Sequence, residues 1–173
     1  MENKDFTINY GNIKKIDSAD GPGVRVALYV SGCLFRCKGC HNQEAQDYKY
    51  GKKFTETTLN EIIDALKVEY ITGFSILGGE PLDPKNREDV FRIIEEIHKA
   101  VPEKSIWLWT GYEYCEILTF IPKEILNYID VIVDGPFILE LRDLSLKFRG
   151  SRNQRVIDVK ATLKNESITY YCD

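Results

Sequence analysis

The sequence predicts an α/β fold built on a mainly parallel sheet. Short apolar, β-branched runs recur along the chain, and between them lie segments whose apolar residues repeat at helical spacing. Glycine-containing turns punctuate the runs, at Gly78-Gly79, Thr110-Gly111 and Gly135-Pro136.

Taken in order, Phe6 to Ile16 reads as a first strand region and Asp17 to Gly23 as a turn. Val24 to Val30 is an apolar run that reads as a buried strand and delivers the chain into a cysteine cluster. Thr57 or Thr58 is placed to cap a helix whose residues Leu59, Ile62, Ile63 and Leu66 share one face. Phe74 to Leu77 is a short strand. Asp83-Pro84 is expected to open the next helix, since Asp caps and Pro is tolerated in a first turn, with Val90, Ile93, Ile94 and Ile97 on its apolar face to about Ala100. Ser105 to Trp109 is a strand. A helical stretch from Glu113 to Tyr128, interrupted at Pro122, then leads to a strand in Asp130 to Asp134. Beyond Phe137 the pattern is less regular: a charged loop through Lys147 to Arg155, then two expected strands, Val156 to Leu163 and Ile168 to Cys172. No repeat, low-complexity tract or linker divides the chain, so one domain over residues 1–173 is expected.

Ligands in parallel α/β folds collect at the C-terminal ends of the strands. Cys33 to Asn42, Gly78 to Leu82 and Trp109 to Tyr112 all follow expected strands and should meet at one sheet edge.

The 173 residues suit one hydrophobic core but fall short of a complete (β/α)₈ barrel, which needs roughly 200 or more. A net charge of −4 offers no global positive field for a nucleic acid backbone. Met1 to Tyr10 is polar with no apolar signal core, and no apolar run approaches the ~20 residues of a membrane span. A soluble, cytoplasmic protein is expected, with neither nucleic acid nor membrane as partner. Five cysteines, three of them within eight positions, do not read as a secreted disulfide framework.

Cys33-x₃-Cys37-x₂-Cys40, with Gly32 and Gly39 beside it, is a loop able to aim three thiolates at one point. A structural zinc site wants four closed ligands. A zinc knuckle completed by His41, Cys115 or Cys172 is one reading of the array. Three thiolates on a cubane [4Fe-4S] cluster, which leave one iron open to a ligand, are the other. Cys115, in a helical stretch, and Cys172, in the tail, read as small hydrophobes. His98, near a helix C-terminus, needs no further role.

The cysteine triad followed by Gly78-Gly79-Glu80-Pro81 resembles the radical S-adenosylmethionine superfamily. Asp20-Gly21-Pro22-Gly23-Val24-Arg25 and His41-Asn42 are similar to the activating enzymes of glycyl-radical proteins. Trp109-Thr-Gly-Tyr112, Val133-Asp-Gly-Pro-Phe137 and Gly150-Ser-Arg-Asn-Gln154 read like the group that acts on the anaerobic ribonucleoside-triphosphate reductase. The likeness runs from about Phe6 to Val159.

The resemblance implies an incomplete β/α barrel and a [4Fe-4S] cluster on Cys33, Cys37 and Cys40, whose open iron is chelated by S-adenosylmethionine. Gly39, Cys40 and His41 would lie on the cofactor's adenine side, and Gly78, Gly79 and Glu80 would meet its amino group. Such an enzyme cleaves S-adenosylmethionine reductively to a 5′-deoxyadenosyl radical and places a radical on a glycine of the reductase large subunit. It needs no catalytic side chain beyond cluster and cofactor, and a flavodoxin-like protein is the expected electron donor. A small-molecule enzyme resembling carboxydeazaguanine synthase, or the activase of another glycyl-radical enzyme, is the alternative. Taken as residues alone, Gly78 to Pro81 also reads as a strand-to-helix connection, Asp20 to Arg25 as a tight turn or a loop near the cluster or partner, and Trp109 to Tyr112 as core plus turn or a cofactor wall.

Overall fold

The computed structural model describes residues 5–172, so the first four residues of the polar N-terminal stretch lie outside it. Seven strands form one open sheet: β1 (Asn9–Asp17), β2 (Val24–Val30), β3 (Lys52–Lys53), β4 (Ile71–Gly78), β5 (Ser105–Trp109), β6 (Val131–Asp134) and β7 (Arg155–Asp158). Their spatial order is β3-β1-β2-β4-β5-β6-β7. The pairs β2–β4, β4–β5 and β5–β6 are parallel, and antiparallel pairs flank this centre at β1–β2, β1–β3 and β6–β7. The fold is therefore mixed α/β with a parallel centre, and the sheet does not close on itself.

The helices are α1 (Glu56–Leu66), α2 (Arg87–Ala100), α3 (Tyr114–Ile117), α4 (Lys123–Tyr128) and α5 (Val159–Asn165). None of them is long and apolar enough to cross a membrane. Alternation along the strands sends Val26, Leu28, Val30, Phe74, Ile76, Ile106 and Leu108 into one large core with α1 and α2. From α2, Val90, Phe91, Ile93, Ile94 and Ile97 are buried there, each contributing roughly 1.5–3 kcal/mol relative to exposure. The opposite, helix-free face carries a small cluster of Trp107, Val131, Val133 and Val156.

Arg25 is buried on this second face, and among the described residues no carboxylate is bonded to it. Its guanidinium donates to the Oγ atoms of Ser75 (2.7 Å) and Ser105 (2.9 Å) and to the carbonyls of Phe74 and Ser105, and lies over the Trp107 ring. Burial draws it down to about 10. Gly21, at φ +118°, lies so close that a Cβ there would sit 2.8 Å from Arg25 Cδ. Asp20 to Arg25 is thus a tight turn fastened at the start of β2, six residue steps or about 20 Å of strand from the cysteine end. From that turn, Asp20 reaches back to accept the Tyr29 hydroxyl.

Several boundaries differ from the sequence reading. Thr55, not Thr57 or Thr58, caps α1: it is extended, and its Oγ1 accepts the Thr58 N–H at 3.2 Å. Helix α2 begins at Arg87 rather than at Asp83-Pro84: Asp83 heads a turn, its carboxylate accepting the Lys85 N–H (2.9 Å) and the Tyr48 hydroxyl (2.7 Å) and its carbonyl the Asn86 and Arg87 N–H groups. The expected strand from Val156 to Leu163 stops at Asp158, whose side chain accepts the Ala161 N–H (2.8 Å) and starts α5 instead. The expected last strand, Ile168 to Cys172, is reduced to an antiparallel bridge from Tyr170 to Ile157 on the outer edge of β7. Pro122 does interrupt the helical stretch, separating α3 from α4.

Candidate functional site

Strand β2 hands the chain to the cysteine loop through Ser31 and Gly32. Gly32 has φ +98°, and a Cβ there would strike the Tyr48 ring at 2.1 Å. Its N–H donates to Ala45 O (2.7 Å), and the Cys33 N–H donates to Gln46 O (3.3 Å), closing the loop against the short 3₁₀ turn Glu44–Gln46. Cys33, Cys37 and Cys40 are all free and half-buried. Burial pushes the Cys33 thiol up, opposed by the N–H groups of Arg36 and Phe35; burial also raises Cys37, opposed by the Phe137 N–H. Cys40 Sγ accepts the Asn42 N–H at 3.4 Å. A peptide N–H thus lies at each of the three sulfurs, and at Cys33 and Cys37 burial outweighs it. Among the described residues, no three His, Cys, Asp or Glu side chains are gathered tightly enough to hold a single metal ion.

Strand β4 ends in Gly78-Gly79, which lies directly against the base of the cysteine loop. The Gly79 N–H donates to Val30 O and the Glu80 N–H to Gly32 O, both at 2.7 Å. A Cβ on Gly79 would sit 2.5 Å from Gly32 O and 2.6 Å from Ala45 O, so the two backbones touch only because glycine stands there. Asn86 completes the junction. Buried just before α2, its Nδ2 donates to the carbonyls of Glu80 (2.9 Å), Ser31 (3.1 Å) and Gly32 (3.3 Å). The sequence reading missed this residue; the only local signal was an Asn at the head of a helix.

Glu80 is 2% exposed, and both its oxygens serve the chain itself. Oε1 accepts the Leu82 N–H (2.8 Å) and the Thr110 hydroxyl (2.7 Å), while Oε2 accepts the Gly111 N–H (2.7 Å). Burial pushes its carboxyl up to about 7, against the pull of those three donors. Glu80 thus joins the end of β4 to the end of β5. Phe35 from the cysteine loop meets Tyr112 edge to face, with centroids 4.9 Å apart, and lies against Gly111. The three segments expected to converge are in contact. Trp109 to Tyr112 divides its roles: Trp109 Nε1 donates to Phe148 O on the helix-free face, while Thr110 and Gly111 hold Glu80.

A fourth segment joins them after β6. The Phe137 N–H reaches Cys37, and Leu139 packs where a Cβ on Gly39 would lie 2.8 Å from its Cδ1. Gln154 and Asn153 tie this segment back through Gly135 O (3.1 Å) and Pro136 O (2.7 Å). Gly39 and His41 are exposed on the outer side of the cysteine loop. Cys115 is exposed on α3 and Cys172 packs beside the Trp107 cluster, so neither joins the triad. His98, in the last turn of α2, stacks on Tyr128 at 4.2 Å.

The chain is similar to known proteins over most of its length. A family model described as a 4Fe-4S single cluster domain matches residues 19–157. The chain is 42% identical over 149 residues to the anaerobic ribonucleoside-triphosphate reductase-activating protein of Enterobacteria phage T4, covering 86% of this chain and 93% of that protein. It is 42% identical over 149 residues to the protein of the same name from Vibrio cholerae (85% and 96% covered), and 39% identical over 151 residues to that from Escherichia coli (86% and 97%).

Proposed function

Because this chain belongs to the family of anaerobic ribonucleoside-triphosphate reductase-activating proteins, we propose that it activates such a reductase as an iron–sulfur radical S-adenosylmethionine enzyme. Cys33, Cys37 and Cys40 hold the [4Fe-4S] cluster, and their donor chemistry fits it. They are soft thiol ligands on one loop, each with a peptide N–H at its sulfur. Held by Cys33, Cys37 and Cys40, the cluster would supply one-electron chemistry: with an electron from an external reductant, S-adenosylmethionine would break at its C5′–S bond to methionine and a 5′-deoxyadenosyl radical, which would become 5′-deoxyadenosine by taking a hydrogen atom from a glycine of the reductase large subunit.

The chain's own residues hold, orient and shield. Gly39, Cys40 and His41 flank the adenine side of S-adenosylmethionine. Gly78 and Gly79 meet its amino group from a strand end packed against β2 and the base of the cysteine loop, and Asn86 fixes that backbone to the loop. Glu80, its oxygens already accepting three donors, acts chiefly by holding the turn in place. Phe35 and Tyr112 form an aromatic wall that excludes water. The open sheet is the incomplete β/α barrel of the superfamily, formed by a single domain, and its helix-free face admits the glycine-bearing loop. A cytoplasmic flavodoxin-like protein supplies the electron.

The observation that carries this reading is the stitching of the cysteine loop to Gly78-Gly79-Glu80 by the Glu80 N–H and Asn86. Anaerobically reconstituted protein given S-adenosylmethionine and dithionite should be brown and form 5′-deoxyadenosine. Stoichiometric zinc in colourless, natively prepared protein, with no cleavage after iron reconstitution, would overturn it.

A further inference from the structure

We propose that the connection between β6 and β7, together with the exposed side chains of the cysteine loop, is the docking surface for the reductase subunit, and that it receives an acidic patch on that subunit. The proposal rests on the functional reading above and adds the place and chemistry of partner recognition.

The connection runs over positions 135–154, a length that in compact domains usually marks a functional loop. It is well tied down. Asp143 N–H donates to Gly150 O (3.1 Å), Arg152 N–H to Leu141 O (2.9 Å), and Gln154 Oε1 accepts the N–H groups of Gly150 (2.9 Å) and Ser151 (3.1 Å). At its tip, the Asp143 carboxylate accepts both the N–H and the hydroxyl of Ser145, so the turn presents Leu144 to solvent, 85% exposed. Leu34 on the cysteine loop is 60% exposed. Ordered, outward-pointing leucines flanking a candidate site are suited to anchoring a partner.

The charge is equally uneven. Between Leu141 and Arg155 stand five basic residues and one acidic one, in a chain whose net charge is −4. Arg155 pairs with Asp134, while Arg142, Lys147 and Arg152 are exposed, and Arg36 and Lys38 add exposed positive charge from the cysteine loop. This local positive field selects and steers an acidic surface. A second copy of the chain would bring the same basic surface against itself, which costs free energy. Protruding leucines favour a protein partner over a nucleic acid.

Position identifies which protein. The segment touches the cysteine loop through Phe137 at Cys37 and Leu139 at Gly39, and the helix-free sheet face through Phe148, edge to face on Trp107 at 5.1 Å. A protein seated on it reaches the strand ends from the uncovered side, where the target glycine must enter.

The test compares wild type, Leu144→Asp, and the double variant Arg142→Glu with Lys147→Glu, all as reconstituted full chains. Dithionite-driven formation of 5′-deoxyadenosine without reductase should stay within about twofold of wild type. The Kd for the purified reductase large subunit should rise by about tenfold or more, with a shallower salt dependence in the double variant. Glycyl radical yield should fall at low reductase concentration and recover at high. Unchanged reductase affinity in both variants overturns the proposal. So does a defect seen only when a flavodoxin replaces dithionite, which would assign the surface to the electron donor, or one seen only in binding a DNA duplex. Wild type that binds the reductase but cleaves no S-adenosylmethionine sinks the functional reading and leaves the docking surface standing.

Discussion

Cys37→Ala is expected to abolish formation of 5′-deoxyadenosine and the catalytically competent cluster while leaving the fold nearly untouched. Its thiol is half-buried and belongs to neither hydrophobic cluster, so truncation removes one sulfur atom from a loop rather than opening the core. The Gly32 to Ala45 and Glu80 to Gly32 backbone bonds that set the loop's base do not involve it. Function and stability should therefore separate: thermal unfolding of the cofactor-free protein close to wild type, with iron and sulfide retention lost or reduced after reconstitution. Cys115→Ala, on exposed α3, is the matched control and should behave as wild type. Normal cleavage of S-adenosylmethionine by the Cys37 variant would refute the ligand assignment.

Glu80 is the opposite case, a site residue whose loss is expected to damage the fold. Glu80→Ala strands the Thr110 hydroxyl and the Leu82 and Gly111 N–H groups in a buried position. At roughly 1–3 kcal/mol for each unsatisfied donor, this is a large fraction of a typical domain stability of about 5–15 kcal/mol. Glu80→Gln keeps the shape and removes the titration, so comparing it with wild type isolates the proton. The carboxyl titrates near 7 when folded, above its ordinary 4.5. The folded chain thus holds the proton more tightly than the unfolded chain. This stabilising contribution is complete below pH 4.5, shrinks as pH rises, and is gone above about 7. In the cofactor-free protein, the stability difference between wild type and Glu80→Gln should therefore decline over that interval by roughly 3 kcal/mol. A difference independent of pH would show that the three donors cancel the effect of burial, and one that grows with pH would show that they outweigh it.

What could be read from the sequence was whatever local pattern determines. Val24 to Val30 and Ser105 to Trp109 have the same limits in the sequence reading and in the structure, since their apolar runs are bounded by turn residues on both sides. The three site segments were legible because each follows such a run. Caps were less legible, because Thr55, Thr57 and Thr58 are equivalent in composition and only the backbone at Thr55 is extended. The tail was misread from Val159 onward: its apolar residues suit strand and helix alike, and the single bond from the Ala161 N–H to Asp158 decides for helix. Asn86 was invisible for a different reason. Its three acceptors lie on Ser31, Gly32 and Glu80, so its role exists only once β2 and β4 are paired. Glu80, read as a cofactor contact, has bonds that run to Leu82, Thr110 and Gly111.

The central claim is that a cluster held by the three cysteines is used to place a radical on another protein. The most direct measurement is the electron paramagnetic resonance spectrum of the reductase large subunit after anaerobic mixing with reconstituted protein, S-adenosylmethionine and a strong reductant. A glycyl doublet that depends on S-adenosylmethionine and is absent with Cys37→Ala is the predicted result. Formation of 5′-deoxyadenosine without a radical on any of several glycyl-radical enzymes would contradict the claim and point instead to a small-molecule substrate.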